Sequence, residues 1–134
     1  MIIYESQFIQ IEFFKQSNSS LVTWSSKSID MDESIYKTEM MNYLQATLKA
    51  KPDRSIIDTR LLNFPISPEL QAWTNEAFFP PLLSIGLTKA AFLVSTEFVT
   101  QLSIEQTVED AEDNPFTTRY FDNLEEAKSW LLAL

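Results

Sequence analysis

The segment "KAAFLVS", residues 89–95, decides the fold class, because apolar residues occupy both faces of the strand that it predicts. A strand with one solvated face alternates apolar and polar residues, whereas a strand that is covered on both faces is continuously apolar. Strands of the second kind belong to parallel sheets with packed helices. Residues 89–95 are therefore predicted to form a central strand of an α/β sheet.

The segments on either side of this strand have helical patterns. Residues 67–69, "SPE", combine a hydroxyl N-cap, a proline at the first helical position and an early acid. Pro80 and Pro81 end or kink that helix, and Gly86 supplies a left-handed residue before the strand. Residues 103–106, "SIEQ", match a capping box and predict that a short acidic helix begins at Ser103.

The N-terminal part of the chain predicts two antiparallel strands and a long helix. Residues 8–14 partly alternate apolar and polar side chains, residues 17–20 are turn material, and residues 21–24 return to a β-prone composition. Asp32 is then a helix N-cap, and apolar residues recur at helical spacing until Pro52 bars continuation. The chain therefore opens with a β-hairpin followed by a helix.

The remaining segments continue the alternation of strands and helices. One strand is predicted within residues 54–62 and a last one at residues 118–121. Asn123 caps a final helix, which we expect to pack Trp130 and Leu131 on the sheet. This order predicts one α/β domain over residues 1–134, with an N-terminal β-hairpin and a mixed, mostly parallel sheet joined by right-handed crossovers.

The composition excludes several classes of function. The chain has no Cys, no His and a single glycine, Gly86. Disulfides, Cys/His zinc sites and Ser-His-Asp or Cys-His catalysis are therefore excluded, as are glycine-rich phosphate loops. The five acids of residues 105–113 lack the spacing and glycine of an EF-hand, so we expect a solvated helix face there. We expect neither a metal nor a cofactor.

The charge and the apolar runs indicate a location and exclude two kinds of partner. The net charge is -9, with 19 acidic and 10 basic residues and no basic cluster, so nucleic acids and anionic membrane surfaces are poor partners. No apolar run approaches the roughly 20 residues of a membrane span. No secretory signal is visible at the N-terminus, and a cytoplasmic location is expected.

Two stretches of the sequence carry a family resemblance. The block "ISPELQAWTNEAFFPPLLSIGLTKAAFLV", residues 66–94, and the tail "RYFDNLEEAKSWL", residues 119–131, resemble small bacterial proteins of the STAS superfamily type. Relatives of that type include anti-sigma-factor antagonists and proteins described as STAS-like or CRAL-TRIO-like. The resemblance extends to the element order of nearly the whole chain. It implies a STAS-like fold and a regulatory protein that acts through protein–protein interaction.

The antagonist branch also implies a phosphorylated serine at a helix start. In that branch a strand ending in Asp is followed by a loop and an Asp-Ser-Ser-Gly helix start; Asp58 resembles the strand-end acid, and Ser67 falls at or beside the acceptor region. This chain departs from the motif, because Ile66 replaces the acid, Pro68 follows and no glycine is present. A serine before proline at a helix start is explained by capping alone.

The trio Asp58, Thr59 and Arg60 is the main candidate recognition loop, together with Ser67. It places an acid, a hydroxyl and a cation at the carboxyl end of a predicted strand, where open α/β sheets bind ligands. An internal ion pair with loop hydrogen bonds is the alternative interpretation.

The aromatic residues form the second candidate group, which comprises Trp73, Phe78, Phe79 and Phe98 together with Pro81. Core packing is the simplest role. Exposed rings around Phe78, Phe79 and Pro81 would instead form the contact of a two-fold homodimer or of another partner. Rings around a cavity would line an apolar ligand pocket.

Three hypotheses for function follow. The leading one is a non-enzymatic STAS-like binding domain in regulation, which pairs with itself and with a regulatory protein. The second is a carrier or sensor of a small apolar ligand, of the CRAL-TRIO kind. The third is an enzyme that uses carboxylate or Lys chemistry, for which the sequence offers no identifiable pair of catalytic groups.

Overall fold

The computed structural model describes residues 1–110 and 116–133, and within them six strands form one sheet in sequence order, β1 to β6. The strands are β1 (Ile2–Glu5), β2 (Ile9–Phe14), β3 (Ser19–Trp24), β4 (Arg54–Asp58), β5 (Lys89–Leu93) and β6 (Thr117–Phe121). The first three pair antiparallel, and β3 to β6 pair parallel. The predicted α/β fold, with its N-terminal hairpin and mostly parallel sheet, is confirmed.

The helices cover the two faces of the sheet unequally. They are α1 (Glu33–Ala50), α2 (Pro68–Ala77), α3 (Phe79–Leu83), α4 (Phe98–Glu109) and α5 (Leu124–Leu132), and a short 3₁₀ helix spans Ser26–Asp30. Because each parallel strand adds to the same side of the sheet, crossovers of one hand place α1 to α4 on one face. Helix α5 then turns back and contacts β4, β5 and β6 from the other face.

Side-chain caps fix the ends of the helices that the sequence predicted best. Asp32 Oδ1 accepts a hydrogen bond from the backbone N–H of Ile35 at 2.8 Å, and Asn123 Oδ1 accepts one from Glu126 at 3.0 Å. Gly86 has a φ of 84°, so the left-handed residue predicted before β5 is present. The break between α2 and α3 lies at Phe78, next to the two prolines.

The larger part of the core lies between the sheet and α1 to α4. On this face the register aligns Val22 with Ile57, Ile57 with Phe92, and Phe92 with Tyr120 across four parallel strands. The row packs against apolar side chains of the helices, among them Tyr36, Met40, Tyr43, Leu44, Leu70, Phe78, Leu82 and Ile104.

The smaller part of the core lies under α5. Ile56, Ala91 and Leu93 of the sheet pack against Ala127 and Leu131 of the helix. Strand β5 lies between β4 and β6 and is buried on both faces, which confirms the central position predicted from its continuous apolar run.

Of the two residues expected to pack α5 on the sheet, only Leu131 is fully enclosed. Trp130 is half-buried at the margin of α5, where its ring lies 5.8 Å from the ring of Phe121 and 5.0 Å from Lys89 Nζ. Leu131 therefore anchors the helix, and Trp130 covers the margin of the interface.

The predicted start of α4 is wrong. The helix begins at Phe98, and the Glu97 side chain caps it by accepting a hydrogen bond from the Thr100 N–H, which lowers the pKa of Glu97. Ser103 is buried within the helix, where its hydroxyl donates to the Thr100 carbonyl at 2.7 Å and accepts from the Ile66 N–H at 2.9 Å. The first turn of α4, which includes Phe98, is apolar but solvent-exposed. The spacing of apolar residues therefore does not indicate where this helix begins.

Strand β1 was not predicted; it pairs with β2 through an irregular register at Ile2 and Tyr4. Two acids of the 105–113 cluster, Glu112 and Asp113, lie outside the described residues, as does the Asn114–Pro115 boundary.

Candidate functional site

Three neighbouring loops form a continuous surface at the carboxyl ends of the parallel strands. The Asn63 N–H donates to Ser28 Oγ at 2.9 Å, which joins the 3₁₀ helix after β3 to the loop after β4. Thr96 Oγ1 donates to the Arg60 carbonyl at 3.1 Å, and Ser95 Oγ donates to the Leu62 carbonyl at 2.8 Å. These bonds join the loops after β4 and β5.

Asp58 and Arg60 form a bidentate ion pair within this surface. Arg60 Nε donates to Asp58 Oδ1 at 3.0 Å, and an Arg60 guanidinium NH₂ donates to Oδ2 at 2.8 Å. The Arg60 backbone N–H donates to Oδ1 as well, at 3.1 Å. The hydrogen bond with Asp58 raises the pKa of Arg60. The geometry matches the interpretation of this pair as an internal ion pair with loop hydrogen bonds.

Thr59 does not join them on the surface. Its side chain is buried, and its hydroxyl donates to the Leu93 carbonyl, which also accepts from the Thr59 N–H at 3.1 Å. The hydroxyl therefore ties β4 to β5 and faces the interior.

Ser67 lies at the start of α2 and caps it. Its Oγ accepts a hydrogen bond from the Leu70 N–H at 3.3 Å. The preceding residue, Ile66, is fixed by Ser103 Oγ and by Gln71, whose Nε2 donates to the Ile66 carbonyl at 2.9 Å. Among the described residues, no hydrogen bond links Ser67 to Asp58 or Arg60.

The cap predicts how substitutions of Ser67 behave. Ser67→Ala is expected to lower the free energy of unfolding by about 1 kcal/mol, whereas Ser67→Asp retains most of it because Asp also caps well. Urea denaturation of both variants measures this. Equal losses in both variants would contradict the capping role, and stoichiometric phosphate on Ser67 in phosphopeptide mapping would favour the switch instead.

The aromatic group divides between the interior and the surface. Phe78 is only 3% exposed, and its ring packs edge-to-face on Tyr43 at 4.9 Å. Phe79 is half-buried beside Phe78 and Phe116, at centroid distances of 5.6 and 6.0 Å. Trp73 is half-buried, with its ring 6.1 Å from that of Tyr36. Only part of the group is therefore available to a partner.

This division changes the contact surface expected for a homodimer. Phe78 is enclosed and Pro81 is half-buried, so the surface around Phe78, Phe79 and Pro81 is not the exposed aromatic patch that the sequence predicted. Self-association itself stays a prediction.

The largest exposed apolar side chains at the carboxyl ends of the strands are Ile29, Leu61 and Phe98, at 63%, 58% and 78% exposure. Ile29 lies in the 3₁₀ helix after β3, Leu61 lies in the loop after β4, and Phe98 is the first residue of α4. With Asp58 and Arg60, they define what we call the carboxyl-edge surface. Phe98 was a candidate from the sequence, whereas Ile29 and Leu61 were not. Ile29 stands alone between polar residues, and Leu61 is followed directly by Leu62 in the loop after β4.

An apolar cavity of about 90 Å³ lies between the sheet and α1 to α4. Phe78 and Phe79 line it, as the pocket alternative for the aromatic group requires. Tyr36 and Tyr43 of α1 also line it and were not predicted, although their spacing on the buried face of the helix was the available signal.

Comparisons of the chain with protein-family models, with curated proteins and with solved structures find no match. Across residues 1–110 and 116–133, no helix combines the length and the apolar character needed to cross a membrane. The same residues contain no group of three acids placed to hold a metal ion.

Proposed function

We propose that the chain is a non-enzymatic, STAS-like binding domain that acts in regulation, and that it contacts a partner protein through the carboxyl-edge surface. The observation that carries the proposal is the exposure of Ile29, Leu61 and Phe98 on loops that hydrogen bonds hold side by side. Exposed apolar surface of this kind marks interaction sites, and large aromatic residues contribute much of the affinity at them.

The roles of the nearby carboxylates support binding rather than catalysis. Asp58 is engaged by Arg60, and Glu97 is engaged by the first turn of α4. Both carboxylates serve to hold loops in place, and a fixed loop loses little conformational entropy when a partner binds.

The element order supports the STAS-like assignment. The resemblance of residues 66–94 and 119–131 implies an α/β domain with a strand-end acid followed by a loop and a helix start; Asp58 is the last residue of β4, and Ser67 directly precedes α2.

The charge around the surface indicates the chemistry of the partner. Asp30, Glu97 and Asp122 follow β3, β5 and β6 at the same edge, and the chain carries a net charge of -9. A partner with an apolar centre and basic residues at its rim complements this arrangement and would associate faster at low salt.

A pair of matched variants tests the proposal. Phe98→Asp places a charge in the carboxyl-edge surface, and Leu83→Asp places the same charge at the end of α3, away from it, on a side chain that is 49% exposed. In cells of the source organism, in-cell cross-linking and affinity purification should recover one partner with the wild type and with Leu83→Asp. The amount of this partner recovered with Phe98→Asp should be more than about tenfold lower.

Sedimentation velocity of the same three proteins distinguishes a second copy from a different partner. A wild-type dimer that Phe98→Asp dissociates would identify the partner as a second copy of the chain. The proposal would be overturned if the wild type and both variants were monomers and all three were cross-linked to the same proteins.

A further inference from the structure

The cavity between the sheet and α1 to α4 is lined by a tyrosine whose hydroxyl makes no hydrogen bond within the described part of the chain. Tyr43 lines the cavity, is 8% exposed, and packs its ring edge-to-face on Phe78. Among residues 1–110 and 116–133, no hydrogen bond is made by the Tyr43 hydroxyl. Burial, first of all, and the nearby Tyr36 raise the pKa of Tyr43. Among the described residues, the fully buried side-chain atoms without a partner are Asn75 Oδ1, Thr100 Oγ1 and Thr118 Oγ1, so the Tyr43 hydroxyl keeps some accessible surface. An accessible hydroxyl without a partner is available to a molecule that enters the cavity.

Each of the other hydroxyl groups of the cavity wall takes part in at least one hydrogen bond within the described residues. Thr74 Oγ1 donates to the Leu70 carbonyl at 2.7 Å, so Tyr36 is the donor in its 2.8 Å hydrogen bond with Thr74. Ser55 accepts from Ser20 at 2.8 Å. The threonines of the wall that donate to backbone carbonyls are Thr47, Thr59, Thr74 and Thr107. Ser55 is not a donor in any of these bonds, and the Tyr43 hydroxyl is neither donor nor acceptor in any of them.

We propose that this cavity binds a small, compact molecule that is apolar over most of its surface, and that the Tyr43 hydroxyl donates a hydrogen bond to its one acceptor atom. Burial raises the pKa of Tyr43, so the hydroxyl is a neutral donor at physiological pH. The apolar wall supplies the affinity, and the Tyr43 hydroxyl orients the ligand, as polar groups do in most small-molecule sites.

The size of the cavity limits the ligand. A dry apolar cavity of about 150 Å³ is known to hold benzene. The cavity here, at about 90 Å³, is smaller. It therefore fits a ligand of about four to six non-hydrogen atoms, such as a short-chain ketone, aldehyde or alcohol. Phe64 and Phe79 line the cavity and are themselves only half-buried, so rotation of their side chains gives such a molecule a route inward.

Two probes test the cavity and the donor separately. Xenon has no acceptor and reports the cavity alone, and butanone adds a carbonyl acceptor; NMR shift titration measures both. Tyr43→Phe removes only the hydroxyl, and Tyr120→Phe is the matched control, because Tyr120 lies outside the cavity wall. Xenon should bind the wild type and both variants alike. Butanone should bind Tyr43→Phe about three- to tenfold more weakly than the other two, the loss of one hydrogen bond.

A third variant fills the site. Ala90 is 1% exposed and lines the cavity. Ala90→Val should weaken the binding of both xenon and butanone, and a near-native melting curve would confirm that the variant is folded. Absence of xenon binding to the wild type would overturn the site. Equal butanone affinities of the wild type and Tyr43→Phe would overturn the role of the hydroxyl.

Discussion

Leu131→Ala is expected to lower the free energy of unfolding by about 2–5 kcal/mol, the range for deleting a fully buried leucine side chain. Leu131 is 1% exposed and lies in the smaller core with Ile56, Ala91 and Leu93. Within the described residues α5 is the helix that covers this face, so a cavity under it cannot be filled by a neighbouring helix. Urea denaturation followed by circular dichroism measures the loss.

The adjacent leucine is a matched control. Leu132 is 47% exposed on the same helix, so Leu132→Ala should change the free energy of unfolding by less than about 0.5 kcal/mol. Both substitutions change Leu to Ala in the last turn of α5, and helix propensity therefore cancels in the comparison. Equal losses would show that α5 is not seated on the sheet through Leu131.

Much of the fold is predictable from the sequence because several of its local signals agree with tertiary packing. The apolar run of residues 89–95 predicted an interior strand, and Asp32 and Asn123 predicted the helix starts that their side chains cap. The prediction was wrong for α4, where the pattern at Ser103 had the residue types of a cap. That serine instead accepts a hydrogen bond from Ile66, a long-range contact with no local signal.

The candidate site was predicted only in part, for a similar reason. The position of Asp58 and Arg60 at a strand end follows from the chain order, since carboxyl ends of parallel strands share an edge. The exposure of Ile29 and Leu61 depends on which neighbours cover each loop, and a single sequence does not record it. The aromatic residues show the same limit, because Phe78 and Phe98 are of one type but lie in opposite environments.

The folded chain is expected to lose several kcal/mol of stability between pH 10 and pH 12, because its buried tyrosines resist ionisation. Burial raises the pKa of Tyr36 to about 12 and raises the pKa of Tyr43 as well. The unfolded chain releases these protons near pH 10 and the folded chain does not, so alkali favours unfolding. The stability is fully present below pH 10. A gap of about two units for Tyr36 corresponds to roughly 2–3 kcal/mol by pH 12, and the raised pKa of Tyr43 adds to this loss.

Urea denaturation at a series of pH values from about 8 to about 12, on both sides of the ordinary tyrosine pKa of about 10, measures how the free energy of unfolding changes with pH. Tyr36→Phe and Tyr43→Phe should each make this pH dependence shallower, and the double variant should be shallower than either. Tyr4→Phe is the comparison variant: burial and the hydrogen bond with Glu39 also raise the pKa of Tyr4, but this variant leaves both buried hydroxyl groups in place. Whole domains typically have a free energy of unfolding of about 5–15 kcal/mol, so this loss is a large fraction of it. The wild type should therefore unfold at a lower pH than the double variant. If the double variant kept the wild-type slope, the two hydroxyl groups would have to ionise in the folded chain as freely as in water, and the enclosed apolar layer between the sheet and α1 would be wrong.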